Sequence, residues 1–379
     1  MSDEMTTVPI PDAAAGESDL SSRWVGGTVV AASDESFGEK EHLLDPGPCD
    51  WRPGRFGPRG ELVDGWETRR RRDGSGEDWA IVRLGMPGVI TAVDVDTTSF
   101  TGNHPATCRI EATAREGYPD EQELRGPGTT WEVLVDTATI GGDTHHLLSV
   151  SDERRWTHVR LVITPDGGVA RLRVHGHALP DPRLVDGVSV DLASWSTGGL
   201  VVASSNDFYS SAQVVNRPDR PRNMGEGWET RRRRSGDCDW LTLRLGYVGT
   251  VAQVVVDTSF YRYNASASVA LHGSETGDEW AELLSDTLLQ PDTIHQFQAA
   301  SIGPVGFVKV DAFPDGGLSR VRVIGHVDPA TRAKAGRQWW NALPDPHAAE
   351  VLAALGLPTQ RPVDSDAPRR LRRVLDGHL

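Results

Sequence analysis

Apolar and polar residues alternate over short stretches through most of this chain. Val89, Thr91, Val93 and Val95 share one face of an extended segment, and Val159, Leu161 and Ile163 share another. Successive side chains of a strand point to opposite sides, so a period of two predicts half-buried β-strands. Leu172 and Val174 continue the inward set, and Arg171 and Arg173 point out. The segment Pro165-Asp166-Gly167-Gly168 separates two such strands. Its proline pre-sets one turn torsion and its glycines allow positive φ, so it predicts a hairpin. Val308, Val310, Pro314-Asp315-Gly316-Gly317, Val321 and Val323 repeat the design. Helical signals enter only near the end. Asp328-Pro329 makes an N-cap and first turn. Asp345-Pro346 opens a second short helix with Val351, Leu352 and Leu355 as its stripe and Gly356 as its stop. A third, basic helix is expected over Arg369 to Leu375.

The doubled hairpin belongs to a larger duplication. Gly65-Trp66-Glu67-Thr68-Arg69-Arg70-Arg71-Arg72 returns as Gly227-Trp228-Glu229-Thr230-Arg231-Arg232-Arg233-Arg234. Asp78-Trp79 with Arg83-Leu84-Gly85 returns as Asp239-Trp240 with Arg244-Leu245-Gly246, and Val95-Asp96-Thr97 as Val256-Asp257-Thr258. A unit of roughly 150–160 residues is a domain rather than a solenoid repeat, so each copy should own a core. Many short strands without long helical periodicity indicate sandwiches. The predicted fold class is all-β, two tandem β-sandwiches with a short helical C-terminal tail. The divisions are a disordered acidic tail over 1–18, a first repeat over 19–178, a second over 179–327, and the helical tail over 328–379. Pro180 and Pro182 mark the break between the copies.

Composition narrows the function classes. The chain has 379 residues, 38% of them hydrophobic, enough for two cores. Its formal net charge of −15 argues against a nucleic-acid partner. No apolar run reaches the ~20 residues of a membrane span. No basic segment leads into an apolar one at the N-terminus, so no signal peptide is expected. Three cysteines, Cys49, Cys108 and Cys238, give neither a disulfide framework nor a thiolate zinc site, and a reducing cytoplasm fits them. Lysine stands only at 40, 309 and 334. The abundance of arginine reflects either genome composition or carboxylate recognition by guanidinium forks. Adjacent Trp339 and Trp340 suggest a buried contact in the tail, so a homo-oligomer is an expectation.

Several blocks together resemble the allantoicase family. They are Ala32-Ser33-Asp34-Glu35-Ser36-Phe37, the doubled Gly-Trp-Glu-Thr-Arg-Arg phrase, Asp-Trp with Arg-Leu-Gly, Phe100-Thr101-Gly102-Asn103, Thr157-His158-Val159-Arg160-Leu161 and the doubled Pro-Asp-Gly-Gly. They follow the family's order over about 20–326. Asn341-Ala342-Leu343-Pro344 resembles the start of a tail found on some bacterial members. The resemblance implies jelly-roll sandwiches of the galactose-binding type. It also implies a hydrolase of purine (allantoin) degradation that converts allantoate and water to ureidoglycolate and urea. One departure stands out. The histidine that members often carry before the phenylalanine of the Asp-Thr-x-x-Phe block is replaced by Ser99 and, in the second copy, Ser259. The second copy reads Phe260-Tyr261-Arg262-Tyr263-Asn264 and lacks the Gly-Asn block, so the copies are expected to differ and one of them to be mainly structural.

The implied reaction breaks an aminal-type C–N bond. It needs a cation for the carboxylate, an acid for the departing urea, and a base or metal for water. Arg69 and Arg231, with neighbours Arg71 and Arg233, are the carboxylate candidates. Glu67 and Glu229 are the acid–base candidates. In a continuous strand Glu67, Arg69 and Arg71 would line one face, and a carboxylate among arginines would have a lowered pKa. A Glu–Arg ladder tying strands together is the alternative. Asn103 and His104 beside the Gly102 turn complete the candidate set, and an incidental loop histidine is the other reading of His104. Trp66 and Trp228 are expected in the core. Asp96 and Asp257 are expected to bond turn amides. His145 and His146 alternate across a strand and make a poor chelating pair; a divalent metal assembled from separate loops stays open. So do two rival functions, a non-catalytic jelly-roll binding module and a hydrolase acting on a related ureido acid such as ureidoglycolate.

Overall fold

A computed structural model describes residues 17–234, 236–362 and 367–378. The chain divides into two units, residues 1–177 and 178–379. Each is built on an eight-stranded antiparallel sheet with the same strand order. The tandem all-β architecture expected from the sequence is thus present, with three helices at the end.

One long strand organises each unit: Asp78–Asp96 in the first and Asp239–Asp257 in the second. Its first half pairs with Thr28–Ala32 and Arg155–Thr164, its last turns with His145–Ser149. Such a strand serves both layers of the sandwich. Its burial phase also changes along its length. Ile90, Val93 and Val95 are buried, whereas Val89 and Thr91 are half-exposed. A strict period of two puts Val89 and Thr91 on the core side; the change of phase leaves them half-exposed instead. In the second unit the equivalent strand shifts register against Arg320–Val327 between Val251 and Gln253, a bulge that moves the following side chains to the other face.

The cores are those of β-sandwiches. Val159, Leu161, Ile163, Leu172 and Val174 close the first, and Val308, Val310, Val321 and Val323 occupy the same places in the second. Trp66 and Trp228 are fully buried. Arg171, expected to point into solvent, is buried as well. It lies on the outer face of its strand, but the segment after the 3₁₀ turn Lys40–Leu44 covers it. Arg171 donates to Gly47 O, Pro48 O and both Asp64 carboxylate oxygens. Arg320 makes the matching contacts to Asp219 and Glu226 O.

The outer boundaries differ slightly from the pattern reading. Ser18, the last residue of the predicted tail, pairs with Gly176, next to the Asp19–His175 pair; residues 1–16 of that tail lie outside the described residues. Within the first repeat a short helix α1 spans Glu121–Arg125. At the C-terminal end α2 spans Pro329–Ala342, α3 Asp345–Ala354 and α4 Arg369–Leu375. Asp328 caps α2 by accepting from the Thr331 amide at 2.9 Å. Trp339 and Trp340 bury against Leu343, Val351, Leu352 and Leu371, so they fill a cluster of the tail itself. Among the described residues, no helix is long and apolar enough to cross a membrane.

Candidate active site

The repeated phrases of the sequence are each other's hydrogen-bond partners. Trp66-Glu67 forms a two-residue strand paired with Gly168-Val169, which follows the Pro-Asp-Gly-Gly turn, and Trp228-Glu229 pairs likewise with Gly317-Leu318. Thr68 Oγ1 accepts from the Gly167 amide at 3.1 Å, and Thr230 Oγ1 from Gly316 at 2.7 Å. The ring of Phe100 is wedged between Gly65 and Gly168. A Cβ on either glycine would come within 2.6 Å or 2.0 Å of that ring, so no larger residue fits.

The strand ends at Glu67, and this overturns the single face expected for Glu67, Arg69 and Arg71. Beyond Thr68 the chain leaves the sheet, and the arginines disperse. Arg71 turns back onto the buried Asp78, with Nη2 2.8 Å from Oδ1 and Nε 3.3 Å from Oδ2. Its amide donates to Asp166 of the turn at 2.6 Å. Arg233 repeats both links, to Asp239 and to Asp315. These two guanidiniums are therefore committed to holding the loop. Removing one leaves a buried carboxylate short of its partner, so Arg71→Ala is expected to cost about 1–3 kcal/mol, read as a lower denaturation midpoint. Arg69 behaves differently. Its side chain is 76% exposed and only leans toward Asp34 Oδ2 at 3.5 Å.

Glu67 makes no ion pair with an arginine among the described residues, so neither the lowered pKa nor the Glu–Arg ladder holds. Asn103 Nδ2 donates to Glu67 Oε1 at 2.8 Å. Burial raises the Glu67 pKa above the ordinary carboxylate range, and the Asn103 hydrogen bond offsets this only in part. The neighbouring segment around Phe37 is met by a hairpin of Phe56-Gly57 and Gly60-Glu61, where Gly60 lies against the ring of Phe37 and Arg59 donates to Glu35 O at 3.3 Å. Gly38 joins the Glu67 backbone in both directions. His104 is next to Asn103 in sequence, but its ring lies against the backbone of Gly142, with Nδ1 buried and unbonded among the described residues. The structure thus brings Asn103 to Glu67 and sends His104 into the adjoining loop.

The second unit lacks a Gly-Asn block after Phe260, yet Asn264 takes the place of Asn103. Asn264 Nδ2 donates to Glu229 Oε1 at 2.7 Å. The two segments match one residue out of the alignment that the phenylalanines suggest. Tyr261, not Phe260, lies against Gly227 as Phe100 lies against Gly65. Ser99 and Phe260 both adopt φ of 70°, and their amides donate to Asp143 and Asp292. The counterpart of Ser99 is therefore Phe260, and that of Ser259 is Thr98. Asp96 accepts from the Thr98 amide and Asp257 from the Ser259 amide, the turn role expected for both. The signal that could have found this was the Asp-Thr pair, which counts to the same offset in both copies.

A cation has one candidate place among the described residues, His42, Asp45 and Asp64. His42 Nδ1 is 2.8 Å from Asp45 and 3.6 Å from Asp64. Burial alone would raise the Asp64 pKa, but the Asp50 amide and the Arg171 guanidinium outweigh it and hold the carboxyl low. With Arg171 on both of its oxygens, Asp64 suits an ion pair better than a metal. His145 bonds Asp94 and His146 bonds Gly141, on separate sides of their strand.

Comparison with known proteins follows the same lines. The family model for the allantoicase repeat matches residues 18–179 and 190–328. A "Probable allantoicase" of Nocardia farcinica is 45% identical over 310 residues, covering 82% of this chain and 94% of the relative. One of Streptomyces coelicolor is 41% identical, covering 84% of this chain and 88% of the relative. The crystal structure of allantoicase from Saccharomyces cerevisiae superposes with a TM-score of 0.69 at 31% identity, over 82% of this chain and 93% of that one. With two copies of the repeat, the matching fold and relatives of nearly full length, the chain belongs to the allantoicase family.

Proposed function

We propose that this protein is a hydrolase that converts allantoate and water to ureidoglycolate and urea, with Glu67 as its proton-handling group. Family membership supports the reaction. The observation that carries the site is the desolvated Glu67 carboxyl on Asn103, whose raised pKa suits an acid.

Allantoate's central carbon bears a carboxylate and two ureido nitrogens. Protonated Glu67 gives its proton to one nitrogen, and that C–N bond breaks to release urea. The lone pair of the other ureido nitrogen stabilises the carbon as the bond breaks. Glu67, now a carboxylate, takes a proton from the water that adds to this carbon, which restores the acid and leaves the hydroxyl of ureidoglycolate. One carboxyl therefore serves as acid and then as base. Asn103 orients it. Arg69, whose guanidinium keeps its edge in solvent, holds the substrate carboxylate. His104 touches no reacting atom in this scheme; it supports the Gly102-Asn103 segment as a positioning residue. Glu229 with Asn264 and Arg231 form the counterpart set in the second unit, and Arg71 and Arg233 hold the loops behind each set.

The test is urea release from allantoate by the purified full chain, with and without an added divalent ion. Urea is expected. No urea under either condition, with no thermal shift on adding allantoate, sinks the proposal. Arg69→Ala is expected to raise KM by about tenfold, the loss of one charge-assisted contact, while leaving the denaturation midpoint in place. An unchanged KM would remove Arg69 from the site.

A further inference from the structure

The second unit keeps the glutamate–asparagine pair but surrounds it differently, and the changes share one direction. Asn206 stands where the first unit has Asp34. Each accepts the tryptophan indole N–H on its main-chain carbonyl, at 2.8 and 2.7 Å, and the arginine amide on its side chain, at 3.2 and 2.7 Å. The carboxylate that faces Arg69 is thus a neutral amide facing Arg231. Phe208 stands where the first unit has Ser36, since both amides donate to that same side chain. The Arg231 guanidinium lies over the Phe208 ring, 4.4 Å from its centroid. Stacking occupies the face of a guanidinium and leaves its N–H edge free for two-point binding of a carboxylate. Among the described residues Arg231 has no ion-pair partner.

The second unit exposes more aromatic surface on these segments. Phe208 is 55% exposed and Tyr209 65%, their rings 4.8 Å apart in an edge-on pair. Tyr209 takes the place of Phe37, and its amide donates to Glu229 O. Tyr263, 99% exposed, precedes Asn264 and takes the place of Gly102. The chain runs from Asp219 to Glu226 without the hairpin whose Gly60 lies against the Phe37 ring in the first unit, where Phe37 is 44% exposed. Exposed aromatics beside an uncompensated cation and a carboxylate–carboxamide pair are a recognition surface.

We propose that the second unit is a separate binding site for a small ureido acid. Arg231 takes its carboxylate, the Phe208 and Tyr209 rings, 86° apart, meet its planar ureido group one face-on and the other edge-on, and Glu229 accepts a ureido N–H. The ligand class follows from these groups: an anion for the guanidinium, a flat polar amide for the rings, N–H donors for the carboxylate. The identity of that acid as allantoate rests on the function proposed above.

The test is calorimetric titration of allantoate into Glu67→Gln, which is expected to bind without turning over. Adding Arg231→Ala, or Phe208→Ser to restore the residue of the first unit, is expected to remove one binding equivalent per chain. Both side chains are exposed, and circular dichroism checks that the fold is kept. If either variant binds as many equivalents as its parent, with affinity changed less than threefold, the inference fails. It also fails if light scattering shows that Phe208→Ser abolishes self-association while the equivalents stay, since the rings would then serve a protein contact. Urea release by the wild-type chain is read separately, so the hydrolase assignment stands or falls on its own assay.

Discussion

Glu67→Gln is expected to cut urea release from allantoate by roughly 10²–10⁴-fold, the usual worth of a positioned proton donor or acceptor, and to leave the protein folded. Glutamine has the shape of glutamate and can still accept from Asn103 Nδ2, so the loop keeps its 2.8 Å contact. It cannot give up or take a proton at this position. Stability supplies an independent readout. Burial raises the Glu67 pKa. The folded state therefore favours the protonated carboxyl, and stability present below the unfolded pKa is lost as pH rises through the folded value. Once ionised, Glu67 weakens the fold, and the amide does not. The variant should melt at or above the wild-type temperature. The wild-type turnover should fall as pH rises through the same group, because the acid form starts the reaction. A Glu67→Gln variant at full speed would make the carboxyl a structural group. A variant both slow and unfolded would make it a scaffold residue.

His158→Phe should remove most of an acid-induced loss of stability from the first unit. His158 is buried on the strand Arg155–Thr164, and Thr157 Oγ1 lies 2.8 Å from its Nδ1. Burial, with Arg83 and Arg115 adding repulsion, pushes its pKa down from 6.5 to about 4. The sign follows from proton counting. Between those values the unfolded chain holds a proton that the folded chain refuses, so stability falls as pH drops from 6.5 toward 4 and levels off below. The window is worth ~3 kcal/mol at most, at 1.36 kcal/mol per unit. The second unit carries Phe307 at the matching place, since Arg83 pairs with His158 and Arg244 with Phe307. Phenylalanine is thus compatible with this position of the fold. Urea denaturation at pH 7 and pH 4.5 checks it: the variant should lose much less between the two than the wild type. Equal losses would place the acid sensitivity elsewhere.

Much of the architecture was legible because the same words occur twice. A duplicated Gly-Trp-Glu-Thr-Arg phrase and a duplicated Pro-Asp-Gly-Gly turn required equivalent hairpins in two domains, and alternation supplied the strands between them. Alternation misled at Val89 and Thr91, where the burial phase changes along the strand. It also misled at Arg171, because a strand's outer face becomes interior once a distant loop lies on it. The arginine run shows the same limit more sharply. On paper Arg69 and Arg71 shared a face with Glu67, and Arg231 and Arg233 repeated that order after Glu229. In space Arg71 belongs to Asp78, Arg231 belongs to Phe208, and Asn103 is the residue that reaches Glu67.

By itself the sequence determined two β-sandwiches, a buried tryptophan before each glutamate, and the family resemblance, because each of these is written in local periodicity or in repeated words. The tertiary structure alone decided what surrounds each glutamate. Desolvation depends on which loops cover a carboxyl, and hydrogen bonding on which side chains reach it, and those partners come from positions far away in the chain. The Asn264 match had the same origin: a one-residue offset hidden by two phenylalanines became visible only when Tyr261 and Phe100 were found against equivalent glycines.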